Sequence, residues 1–67
     1  MMRRLVLLRG SQTPMNVQPH DVLTVEGVIK PQQGSYANPD PLEYATVQAT
    51  VVFADDMYVH CQYDAGW

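Results

Sequence analysis

The sequence predicts a mainly β domain: a small antiparallel barrel or curled sheet of four to five strands, with an SH3-like barrel the preferred arrangement and no substantial helix. Three observations lead there. No stretch carries apolar residues at i, i+3, i+4 and i+7 over successive turns, the spacing a helix needs to bury one face. Five prolines and four glycines cut the 67-residue chain into short pieces. The apolar pieces are rich in valine and tyrosine, which fit a pleated, half-buried surface. Short strands divided by turn residues suit a small barrel, and an OB-fold usually needs more chain. This is an architectural analogy and implies no function. Residues 1–67 are read as a single small β domain.

The first strand is expected at residues 3–9 (RRLVLLR). Leu5, Val6, Leu7 and Leu8 run together without polar alternation, so cover is expected on both faces. Gly10 and Ser11 end it. Residues 10–20 (GSQTPMNVQPH) read as a polar connection with a short extended piece near Met15–Val17. The second strand, 21–30 (DVLTVEGVIK), places Leu23, Val25 and Ile29 on one face and Thr24, Glu26, Val28 and Lys30 on the other. Gly27 inside it marks a bulge, a bend or a close backbone approach. Residues 31–41 (PQQGSYANPDP) form a loop long enough to draw attention as a recognition element, with Tyr36 near its middle.

The third strand, 43–53 (EYATVQATVVF), alternates most clearly, with Ala45, Val47, Ala49, Val51 and Phe53 turned one way. The fourth, 57–63 (MYVHCQY), sets Met57, Val59, Cys61 and Tyr63 against Tyr58, His60 and Gln62. Residues facing each other in a hairpin share a face. An odd loop at 54–56 pairs Phe53 with Met57, Val51 with Val59, Ala49 with Cys61 and Val47 with Tyr63, all apolar. A two-residue Asp55-Asp56 turn would mix polar and apolar on both faces. A loop of three or five residues is therefore expected.

Chemistry is hard to place on this chain. Cys61 is the lone cysteine, so no internal disulfide forms. A structural zinc site wants four cysteine or histidine ligands at close spacing, and only His20, His60 and Cys61 are present. His60 and Cys61 are adjacent on a strand and point to opposite faces. Cys61 falls on the expected core face, where a thiol behaves as a small hydrophobe. Asp55 and Asp56 suit a hairpin tip better than an acid–base pair, which needs a cleft. No glycine pattern makes a phosphate loop. No catalytic residue, metal, cofactor or small-molecule substrate is expected.

The net charge of -3 is too acidic for a dedicated duplex-DNA binder. The charged share, 16% against roughly 25% for an ordinary domain, leaves a surface poorer in charge than usual and favours cover by another protein. The start, Met1 to Leu8, imitates a signal peptide, but its apolar run stops at Arg9, short of a signal core or a membrane span. A soluble protein is expected, cytoplasmic or virion-associated. Small, compact, cysteine-poor β domains are frequent among phage and viral accessory proteins, including capsid-decorating subunits and inhibitors of host enzymes.

The leading expectation is a non-catalytic interaction or assembly module, a homo-oligomer or an accessory subunit, that meets a protein partner or itself. Its surface would comprise Tyr36, Tyr58, His60, Gln62 and Trp67, since tyrosine and tryptophan are over-represented at interface hot spots. Trp67 either folds back over the core or docks on a neighbour. The alternative is a small nucleic-acid-binding regulator using Arg3, Arg4 and Arg9, three of the four basic residues, with exposed tyrosines for base stacking. Arginines at both ends of the first strand also blunt a sheet edge.

Overall fold

The computed structural model describes residues 1–67. It holds four strands, β1 (Met2–Leu8), β2 (Val22–Ile29), β3 (Tyr44–Ala54) and β4 (Tyr58–Asp64), and no helix. They form one antiparallel sheet in the order β1-β4-β3-β2. The sheet is open, with β1 and β2 at its edges. No helix is long and apolar enough to cross a membrane.

All nine buried residues lie on one face: Leu23, Val25 and Val28 of β2, Val47, Ala49 and Val51 of β3, and Val59, Cys61 and Tyr63 of β4. A single flat sheet cannot bury Ala49 and Val59 completely, since half of each would face water. The cover comes from Val17 in the β1–β2 connection, from Ala65 and Trp67 in the tail, and from Leu5 and Leu7 of β1. A core this small supports only modest stability.

Two β-bulges change which side chains face this core. On β2, Val25 pairs with Val47 but Val28 pairs with Ala45, so Glu26 and Gly27 together oppose Thr46. Gly27 has φ +77°, a left-handed conformation that glycine adopts without penalty. Of the bulge, bend or close backbone approach expected at Gly27, the structure shows the bulge. It also reverses the expected facing beyond it: Val28 is buried and Ile29 is exposed.

On β3 the pairing shifts between Val51, opposite Cys61, and Phe53, opposite His60. Val52 is the extra residue. Phe53, expected in the core, is half exposed on the outer face, and Ala54 turns inward opposite Val59. The expected hairpin register is thus corrected: Val51 faces Cys61 in place of Val59. Three residues, Asp55 to Met57, separate the strands, within the expected length, but the closing pair Ala54–Val59 has four residues between its partners, so the odd pairing expected around 54–56 is not formed. Asp55 N–H donates to the Tyr58 carbonyl at 2.9 Å, closing a tight turn around Asp56 and Met57. Met57 is exposed in that turn and takes no part in the core. A bulge supplies the change of phase that an odd loop would otherwise have provided.

The segment between β2 and β3 is an ordered arm. Lys30 N–H donates to the Glu43 carbonyl at 3.0 Å, Asp40 N–H to Gln33 at 2.8 Å, and Ser35 and Asn38 exchange backbone hydrogen bonds at the tip. Gly34, with φ +91°, leaves no room for a Cβ beside Asp40 N and Asn38 O. Tyr36 stands fully exposed on this tip.

Candidate interaction surface

The outer face of the sheet follows from strand pairing. Val6 of β1 lies opposite His60 of β4, and His60 lies opposite Phe53 of β3. One row further, Leu8 lies opposite Tyr58. In the other direction Arg4, Gln62, Thr50 and Val22 make a mostly polar row. The face is therefore divided, apolar toward the β3–β4 turn and mostly polar through its middle, with the exposed pair Ile29 and Tyr44 at the arm end. Val6 (54%), Leu8 (55%), Phe53 (50%) and Tyr58 (42%) are all substantially exposed and adjacent. The expectation that both faces of β1 would be covered fails for this reason: nothing in the chain lies over Val6 and Leu8.

The Phe53 and His60 rings stack with centroids 4.1 Å apart and planes inclined by 14°. His60 Nε2 is 3.4 Å from the Asp55 carboxylate. The Asp55 carboxylate also accepts the backbone N–H groups of Tyr58 at 2.7 Å and Met57 at 3.0 Å. The Tyr58 and Met57 amides, helped by His60, hold the Asp55 carboxyl below its ordinary value. A short acidic side chain thus pins the turn and orients the imidazole, which in turn carries the Phe53 ring. Arg4, Val6, Val52, Phe53, His60 and Gln62 border a shallow depression here.

The remaining sequence candidates are scattered. Tyr58, His60 and Gln62 share the outer face as expected. Tyr36 is on the arm, and Trp67 is folded back over the core side. The Trp67 indole meets Tyr63 edge-on at 6.5 Å, and the Lys30 ammonium lies 5.4 Å from its ring centroid. Arg3 donates to the Trp67 carbonyl at 3.4 Å. Arg4 is turned to the outer face, while Arg9 donates to the carbonyls of Asp55 at 3.0 Å and Met15 at 3.4 Å. Arg3 and Arg9 sit six positions apart, about 20 Å at the rise of an extended strand. The three arginines make no common basic surface.

Cys61 is buried against the core, and that burial pushes its thiol pKa up, away from the reactive thiolate. His60 points to the opposite face. No three histidine, cysteine, aspartate or glutamate side chains converge into a metal-binding group.

Val6, Leu8 and Phe53 are the surface residues that sequence reasoning missed. Their apolar character assigned them to the core. A signal was present for two of them: in a run of four apolar residues on one strand, alternation sends two to each face.

Fold and surface together define an open four-stranded antiparallel sheet with one buried face and one face that is apolar over half its extent. No family model, curated protein or solved structure matches the chain.

Proposed function

We propose that this chain is a non-catalytic protein-interaction or assembly module that docks through the outer face of its sheet, as a homo-oligomer or as an accessory subunit. The observation that carries the reading is the contiguous exposed set Val6, Leu8, Phe53 and Tyr58, with His60 stacked among them. Contiguous apolar patches on small proteins mark interaction sites far more often than scattered ones do. Tyr58 and Phe53 supply large contact area from two-torsion side chains, and the Asp55–His60–Phe53 chain of contacts holds the Phe53 ring before a partner arrives. Such pre-organisation lowers the entropic cost of docking.

The nucleic-acid alternative draws on Arg3, Arg4 and Arg9, and their separation counts against a shared phosphate track.

The test is light scattering over a tenfold or greater dilution, with the wild-type chain and a Phe53→Lys/Tyr58→Lys double variant. The reading expects a mass above 7.6 kDa that the double variant reduces. For a wild-type monomer it expects capture of a defined protein that the double variant abolishes. A monomer with no partner sensitive to this face refutes it.

A further inference from the structure

The two edges of the sheet are finished differently. On β2 the edge is interrupted. The Glu26 N–H donates to Gln12 Oε1 at 2.8 Å, and Gln12 Nε2 donates to the Glu26 carbonyl at 3.1 Å. The Gln12 side-chain amide stands in for the peptide group of a neighbouring strand, at the bulge itself. Beyond the edge, the inward residues Leu23, Val25 and Val28 are buried.

The β1 edge has no such finish. Ala65 N–H donates to the Met1 carbonyl, and Arg9 N–H donates to the Met57 carbonyl. Odd-numbered residues of β1 therefore turn their backbone groups toward β4, and even-numbered ones turn theirs outward. The N–H and C=O groups of Met2, Arg4 and Val6 have no partner outside the ladder. The strand runs seven residues without a bulge. Its inward side chains Leu5 and Leu7 remain only partly buried, in contrast with those of β2. The inner face is covered less completely on this side, and the β2 edge is capped at Glu26.

We infer that β1 pairs with β1 of a second copy, antiparallel about a two-fold axis at Leu5, joining two sheets into one of eight strands. The register follows from three constraints. A ladder through the outward groups must pair even positions with even positions. An axis at Arg4 would set like charges directly opposite, which is unfavourable. An axis at Val6 would leave Met2 and Arg3 unpaired. The axis at Leu5 uses all of Met2–Leu8. It sets Arg4 opposite Val6 of the second copy and Met2 opposite Leu8 on the outer face. On the inner face Leu5 meets Leu5, and Arg3 meets Leu7. The two apolar outer patches then lie on one continuous face. This interface deepens the docking function proposed above and takes from it only the premise that the chain works by association. It uses the strand edge, so the two readings fail separately.

The experiment combines light scattering with disulfide trapping. The wild-type chain is expected at twice 7.6 kDa. Arg4→Pro removes one outward N–H without touching the β4 ladder, as proline does on edge strands, and leaves the apolar set Val6, Leu8, Phe53 and Tyr58 unchanged. It is expected to return the mass to 7.6 kDa with the sheet signal in circular dichroism retained. In a Cys61→Ala background, Leu5→Cys is expected to cross-link between copies in a glutathione redox buffer. Paired residues at the axis lie about 4.5 Å apart between Cα atoms. Leu7→Cys is the control, since its copies sit roughly 13 Å apart in this register. A monomeric wild-type chain overturns the inference. So does equal cross-linking at positions 5 and 7. A dimer insensitive to Arg4→Pro but dissolved by Phe53→Lys/Tyr58→Lys overturns the edge pairing and leaves the face-docking function standing.

Discussion

Replacing Gly27 with alanine tests whether the bulge on β2 is held by backbone conformation. Gly27 has φ +77°, and a Cβ built there would meet nothing within 4 Å. Steric collision is therefore absent, and the cost is that of a left-handed L-residue, about 1–2 kcal/mol. Alanine also narrows the unfolded ensemble, which returns about 0.4–1 kcal/mol. A net loss near 1 kcal/mol is expected. For a chain of this length the whole stability is about 3–10 kcal/mol at ~0.05–0.15 kcal/mol per residue. The loss is thus readable as a lower urea midpoint with an unchanged slope. Gly27→Asn should lose less than alanine, since asparagine tolerates the left-handed region. A neutral alanine variant would refute the reasoning, as would asparagine and alanine losing equally. Either result would mean that the strand sheds the bulge and re-registers.

Three further outcomes are expected. The Asp55 carboxyl has its pKa lowered by the Tyr58 and Met57 amides, so its stabilising effect is fully present above the unfolded-state value. That effect is lost as pH falls through the depressed folded value, and Asp55→Asn should flatten the acid limb of a stability profile. Val59 is fully buried, and Val59→Ala removes two methyl-sized groups and leaves a cavity, for a loss of about 2–3 kcal/mol by urea unfolding. Trp67 Nε1 is buried without a hydrogen-bond partner, so Trp67→Phe should change thermal stability little, while Trp67→Ala should cost about 2 kcal/mol through lost packing on Tyr63.

The strands were legible because alternation and breakers are local signals. All four lie within about two residues of where periodicity and turn residues put them. The facing of Val28, Ile29 and Phe53 was not legible, and both errors have the same cause. A bulge inserts one residue into a period of two and inverts everything after it. Gly27 was compatible with a bulge, a bend or a close backbone approach, and only the bulge turns Ile29 outward. Val52 announced nothing: the run Val47, Ala49, Val51, Phe53 alternates without a break, and only pairing with β4 shows the slip. The inward burial of Val59, Cys61 and Tyr63 and the outward set of Tyr58, His60 and Gln62 were readable because β4 carries no bulge of its own. The apolar half of the outer face was hidden by the assumption that a hydrophobic strand must be covered. The seating of Trp67 between Tyr63 and Lys30 depends on contacts between distant segments, which no local pattern reports.

The seat of Trp67 also makes the molecule self-reporting. Trp67 is the chain's single tryptophan, and it rests where the arm leaves the sheet. Lys30 sits over its ring and also reaches Glu43 at 3.5 Å across the arm's root. Any tilt of the arm, for example when the tip at Tyr36 engages something, moves an ammonium group relative to the indole. The emission colour and intensity of one chromophore would then register events at a loop tip several residues away, with no label attached. Tyrosine-to-tryptophan energy transfer from Tyr63 gives the same indole a second channel, sensitive to whether the tail stays seated.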